Sequence, residues 1–300
     1  MIYVARGSVM DSTNNGVNLK NIQKIFYEDD CSIYVLRLVN PIEESLTDNV
    51  IDFVRASTGT PYSMREAVLS AGEIKDFNGN EKMFCSRLVA RAYASVGINL
   101  HHNPNFCTPD DLKNSSLLHR VENFSIQVTE QEIENILSAG DDTKGMTAVT
   151  NNLLEAARRI YPKILNLQNI IEASVNFPKM DFELAAAYKN SGYLDYWRTQ
   201  EEKYPWRYET SAMLSMHDNL KGIGLLDELI NYCEGTLSDD KNGAFLHWYK
   251  QAAAFKDLYR KFPREVLRLE LEPYTNLCNQ HDRRISVIEQ LKEEKGLQFS

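Results

Sequence analysis

Apolar residues alternate with polar ones in only a few short places, all near the start of the chain. After about residue 129 they recur every three or four positions almost without interruption. The two periods predict different structures: alternation places every second side chain on one face of a strand, and the longer spacing draws a stripe along a helix. "IYVAR" (Ile2–Arg6) and "SIYVLRL" (Ser32–Leu38) are β-branched and aromatic and predict strands. Between them, apolar residues at 19, 22, 25 and 26 predict a helix over Asn18–Phe26. Pro41 predicts the start of a second helix, because its missing N–H is not needed in a first turn. Leu46, Val50, Phe53 and Val54 form that helix's stripe, and Gly59 lies beyond its end.

A polar loop, "EIKDFNGNEK", leads into "MFCSRLVARAYASVGINL" (Met83–Leu100). Leu88, Val89, Ala92, Tyr93 and Val96 make one helical face, and Gly97 stops it. "CTPDDLKNS" carries another start, with Thr108 as cap and Pro109 in the first position. "NFSIQV" (Asn123–Val128) predicts a third strand. Thr129 with Glu132 is a capping box. The long helical series then runs to a last helix at "NQHDRRISVIEQLKEEK". The polar stretch Ser138–Thr147 predicts the division into two domains, residues 1–137 and 147–300. The fold class expected is α+β, with a mixed first domain and an all-α second one.

Composition narrows the function. The 300 residues carry a net charge of −9, which argues against a nucleic-acid binder. No apolar run is long enough to span a membrane, and the first residues lack the pattern of a signal peptide. A cytoplasmic protein is expected. Five cysteines (Cys31, Cys85, Cys107, Cys233, Cys278) are scattered without CxxC spacing, so neither a disulfide framework nor a structural zinc site is expected. No metal or organic cofactor is implied.

Cys85 opens the helix that follows the polar loop. Two readings fit. Cys85 shares a face with Leu88, Val89, Ala92 and Val96, and a buried cysteine packs as a small hydrophobe. Alternatively, the positive end of the helix and its unpaired N–H groups stabilise a thiolate and bind an oxyanion beside it. Arg87 and Arg91 are expected on the solvated face. In the helical half, Tyr188, Tyr193, Tyr196, Trp197, Tyr204, Trp206 and Tyr208 cluster, and interhelix packing accounts for them. A groove for a partner is the alternative.

"GTPYSMREA…MFCSRLVARAYASVGINL" resembles the papain-like cysteine hydrolases of the NlpC type. There a Gly-x-Pro-Tyr segment precedes a Cys-Ser helix start; here these are Gly59, Pro61, Tyr62, Cys85 and Ser86. "CTPDDLKNSSLLHRV" and the upstream "IYVARGSVMDSTNNGVNLKNIQKIF…SIYVLRL" are similar to the circularly permuted branch, the YiiX/YebB-like proteins. The resemblance covers about residues 1–125. It implies a permuted papain-like domain with Cys85 as nucleophile, Tyr62 beside it holding substrate or oxyanion, and the Ser86 backbone N–H facing the same group. The implied reaction is cleavage of a peptide, amide or lipid ester through a thioester.

In the permuted branch the catalytic histidine lies on a strand upstream of the piece that begins this sequence. No histidine occurs here before His101. Three readings stay open: a shortened form or start site that leaves out the base, a family member that keeps the fold for binding, or a base supplied by His101 or His102. The remaining sheet would be small with an open edge. That edge and the helical domain are the expected surfaces for a protein partner.

Overall fold

The computed structural model describes residues 1–5, 7–28, 33–62 and 83–298. Cys31, Ser32 and the whole polar loop before Met83 lie outside them. The chain forms two compact units, Met1–Glu172 and Ala173–Ser300. The whole is α+β with a large helical part, as the hydrophobic pattern predicts.

The first unit begins with an antiparallel meander, β1 (Ile2–Ala5), β2 (Ser8–Thr13) and β3 (Gly16–Asn21). This corrects the helix expected over Asn18–Phe26. Residues up to Asn21 are strand, and only Ile22–Lys24 make a 3₁₀ turn. Pairing wins here because Asn14, Asn15 and Gly16 close a hairpin. Gly16 has φ 83°, and a Cβ there would meet the Thr60 carbonyl oxygen at 2.8 Å. Neither condition admits a larger residue. β2 itself shows no alternation: Val9, Met10, Asp11 and Ser12 are all buried, so both faces of this strand are covered.

A second, two-stranded sheet pairs β4 (Val35–Leu38) with β5 (Leu118–Val121). The strand expected at Asn123–Val128 is therefore displaced. Asn123 takes φ 53°, which ends extended pairing, and Ile126 is exposed. Helix α1 (Glu44–Ala56) and helix α2 (Cys85–Ala94) pack with the meander. One cluster joins Ile2, Val4, Met10 and Val17 of the meander to Val50, Val54, Leu88 and Ala92 of the helices. A second cluster sets Ala90 of α2 among Leu100, Cys107, Leu112, Leu36, Leu38 and Leu118. Helix α2 thus has one core on each flank. Helix α3 (Pro109–Lys113) starts on the expected Thr108 cap, closed as a capping box by Asp111.

Helix α4 (Glu130–Ser138) carries the expected Thr129–Glu132 capping box. Helix α5 (Asp142–Ile160) starts inside the polar stretch 138–147, and the division between units falls within α6 (Leu167–Asn176). The second unit is helical throughout its described residues: α7 (Asp181–Ser191), α8 (Arg198–Lys203), α9 (Thr210–Ile223), α10 (Leu226–Lys241), α11 (Leu246–Lys261) and α12 (Glu265–Lys295). The last begins well before Asn279 and carries Pro273 inside it. Tyr188, Tyr193 and Tyr208 are buried, the packing role expected of them.

Candidate active site

Helix α2 starts at Cys85 because Phe84 holds an extended conformation (φ −105°, ψ 164°) and the next residues coil beneath an apolar stripe. Phe84 caps the helix without a side-chain hydrogen bond. No side chain of the cap therefore competes for the first-turn N–H groups. Cys85 is partly exposed, whereas Met83 and Phe84 before it and Ser86 and Arg87 after it are buried. The four neighbours fix the turn, and the sulfur is left at its accessible edge.

Each buried neighbour has an anchor. The Ser12 hydroxyl on β2 donates to the Met83 carbonyl at 2.6 Å. The Ser86 hydroxyl donates to the Cys107 carbonyl at 2.7 Å. The Ser86 side chain is thus engaged structurally. Arg87 is 2% exposed, which corrects its expected place on the solvated face. Its Nε donates to the Asn105 carbonyl at 2.7 Å, and its guanidinium lies 4.8 Å from the centre of the Phe84 ring. A carbonyl and an aromatic face suit a guanidinium that has left water.

The turn carrying Tyr62 is strapped to β3. The Val17 N–H donates to the Thr60 carbonyl at 3.0 Å, and the Gly59 N–H returns to the Val17 carbonyl at 2.8 Å. Arg158 of α5 donates to the Gly59 carbonyl at 2.9 Å. The Met83 N–H donates to the Pro61 carbonyl at 2.8 Å, which brings the Tyr62 turn beside the start of α2. Burial raises the Tyr62 phenol above its ordinary value, and the negative charges of Cys85 and Asp11 raise it further. The Tyr62 phenol is therefore within electrostatic reach of the expected Cys85 and of Asp11, which sequence reasoning missed.

Asp11 sits on the central strand, 9% exposed. Its Oδ1 accepts the Ser12 N–H at 2.9 Å, and its Oδ2 accepts Lys20 Nζ at 2.6 Å from the neighbouring strand. The signal was available in "VMDST", where an acid interrupts an apolar strand just before a glycine turn. The helix expected nearby concealed it.

His101 and His102 follow α2, and His119 is exposed on β5. His101 Nδ1 faces the Asn103 backbone and its Nε2 lies 3.9 Å from Asp111. Among the described residues, no hydrogen bond links these three histidines to Cys85. Cys107 and Cys233 are fully buried, and burial pushes both thiols up to about 12. Cys278 is buried and raised for the same reason. These three have the environment of packing cysteines.

The arrangement can support nucleophilic acyl chemistry: a partly exposed cysteine at a helix start, with a tyrosine-bearing turn hydrogen-bonded to that start. Comparison with known proteins agrees with that chemistry. No curated protein and no solved structure matches the chain. Residues 2–139 match the family described as permuted papain-like amidase enzyme, YaeF/YiiX, C92 family, which supports a circularly permuted papain-like domain over this part of the chain.

Proposed function

We propose that the protein is a cysteine amide hydrolase whose nucleophile is Cys85, carried by a hydrolase domain of residues 1–137 with residues 147–300 as an appended helical domain. The observation that supports this reading is the partly exposed Cys85 at the start of α2, with the Tyr62 turn tied to that start by the Met83–Pro61 hydrogen bond.

The Cys85 thiolate attacks the carbonyl carbon of the substrate, and the carbonyl π electrons move to oxygen. The backbone N–H of Ser86 and the Tyr62 hydroxyl donate to that oxyanion. Collapse expels the amine, which takes up a proton, and leaves a thioester on Cys85. Water then attacks the thioester, a base accepts its proton, and the acid product and free thiol are released. Asp11 orients the Tyr62 side of the site through its charge. Lys20 keeps Asp11 in place. The substrate class is an amide or peptide, with esters of the same acyl groups as a secondary class. The site is proposed to act in the cytoplasm; among the described residues no helix is long and apolar enough to cross a membrane.

A second reading has its own observation. His101, His102 and His119 make no hydrogen bond with Cys85 among the described residues. On that reading the domain binds an acyl or peptide group without turning it over, and the helical domain or the open sheet edge engages a protein partner.

The deciding experiment measures alkylation of each cysteine against pH by peptide mass spectrometry, alongside hydrolysis of an amide panel by the parent and Cys85→Ala. The hydrolase reading requires Cys85 to label with a transition well below the free-cysteine value of about 8.5. It also requires turnover to vanish in Cys85→Ala. Turnover equal to the parent's in that variant removes Cys85 as nucleophile. Slow labelling without turnover supports the binding reading.

A further inference from the structure

After α2 the chain turns back through residues 98–108 into α3. His101, Cys107 and Asp111 each bring one donor atom into this turn, and the three atoms lie within 4.8 Å of one another. They are an imidazole nitrogen, a thiol sulfur and a carboxylate oxygen. Cys107 is fully buried and the other two are partly buried.

Each donor is already oriented from behind. His101 Nδ1 lies 3.0 Å from the Asn103 carbonyl. The Asn103 N–H lies 3.2 Å from the same nitrogen; in the tautomer that donates Nδ1–H to the carbonyl, the Nε2 lone pair is free, 3.9 Å from Asp111. That is how a metal-bound histidine is usually held: its second N–H goes to a carbonyl. Asp111 Oδ2 accepts the Thr108 N–H and the Thr108 hydroxyl, each at 2.7 Å. Burial opposes ionisation of Asp111. The two Thr108 hydrogen bonds and the adjacent His101 and His102 outweigh it and hold the carboxyl below its usual range. Cys107 packs beside Ala90, Leu100 and Leu112 and Asp111 closes the Thr108 capping box, and the same turn sets His101 against both.

We propose that His101, Cys107 and Asp111 form a zinc site, with water in the fourth position. Mixed nitrogen, sulfur and oxygen donors suit Zn²⁺ and exclude the hard cations Mg²⁺ and Ca²⁺. Zinc bonds of about 2.0–2.3 Å need these donors about 1 Å closer together than they stand, within reach of side-chain rotation. On binding, the sulfur–zinc bond forms and the Cys107 thiol proton leaves to solvent. No electron changes hands.

The site would lock the turn that anchors α2. Its Asn105 and Cys107 carbonyls take the hydrogen bonds from Arg87 and Ser86, the two residues after the nucleophile. Zinc would thus act on Cys85 through position. The site does not depend on the hydrolase reading, and its test does not use activity.

Chelator-treated full-length protein is titrated with Co²⁺ alone and followed by absorbance. The expected result is a one-to-one complex with a near-ultraviolet thiolate-to-cobalt band and strong visible bands of tetrahedral cobalt, all bleached by Zn²⁺. The same spectrum is expected in Cys85→Ala. The thiolate band is expected to vanish in Cys107→Ser, and affinity to fall about tenfold or more in His101→Gln and Asp111→Asn. Those two variants keep the thiol, so they decide the matter if Cys107→Ser fails to fold. A parent protein without the thiolate band overturns the proposal. So does a band that survives in Cys107→Ser, or unchanged affinity in both His101→Gln and Asp111→Asn.

Discussion

The Ser86 hydroxyl, one residue after Cys85, donates a 2.7 Å hydrogen bond to the carbonyl of Cys107, 21 positions along the chain. Both residues are buried. Ser86→Ala removes the donor and leaves a buried acceptor without that bond, at a cost of about 1–3 kcal/mol. Urea unfolding is expected to show a loss of that size. Turnover is expected to fall further than stability alone explains, because the first turn of α2 loses its anchor.

Tyr62 reports on Asp11. The phenol is raised by burial, then by the charges of Cys85 and Asp11. Asp11→Asn removes one negative neighbour, so the Tyr62 phenol should ionise more easily and titrate closer to the ordinary 10. A titration of ring-labelled tyrosine by nuclear magnetic resonance reads this directly. An unchanged or higher value would separate Asp11 from the site.

Gly59 is fixed by two constraints. Its φ is 83°, and a Cβ there would lie 2.0 Å from Leu154 Cδ1. Gly59→Ala should cost about 2–5 kcal/mol, combining left-handed strain with overpacking. Adding Leu154→Ala relieves the clash but keeps the strain. The double variant is therefore expected to lose less than the sum of the two single losses, as a thermodynamic cycle would measure.

Hydrolysis by Cys85 should respond to added imidazole. Among the described residues, the histidines of the first unit make no hydrogen bond with its sulfur, so a small diffusing base has a proton transfer to assist. Turnover is expected to rise with imidazole concentration, more steeply at pH values where imidazole is neutral. A Cys85-dependent rate indifferent to imidazole would mean that a group already in place serves as base.

Glu270 predicts how the helical unit responds to pH. It is 2% exposed, and burial lifts its carboxyl from 4.5 to about 7 despite the hydrogen bond it accepts from Tyr188. Below pH 4.5 both folded and unfolded states hold the proton. Between 4.5 and about 7 the unfolded state loses its proton first, so the stability contributed by this group falls as pH rises. Subtracting the stability profile of Glu270→Gln from the parent's should leave that descending slope. A rising difference across the same window would contradict the assignment.

The local signals read well from the sequence. The Thr108 and Thr129 capping boxes, the apolar stripe of α2 and the position of Cys85 each depend on residues within one or two turns, and all are found where expected. The failures are non-local. β2 is covered on both sides, so no alternation marks it, and β3 has a spacing that also suits a helix. Asp11 was hidden by the same strand. Arg87 looked like a surface cation because nothing nearby in the chain announces the Asn105 carbonyl or the Phe106 ring that receive it.

The two cores that flank helix α2 have a consequence for hydrogen exchange. The meander with α1 covers one flank, and β4–β5 with α3 covers the other. If one layer opens locally, the other still holds the helix. Exposing the amides of Leu88 to Ala92 requires both to open together, and the probabilities of independent openings multiply. The helix that carries Cys85 at its tip should therefore be the slowest-exchanging segment of its unit, a still mount within a more mobile frame.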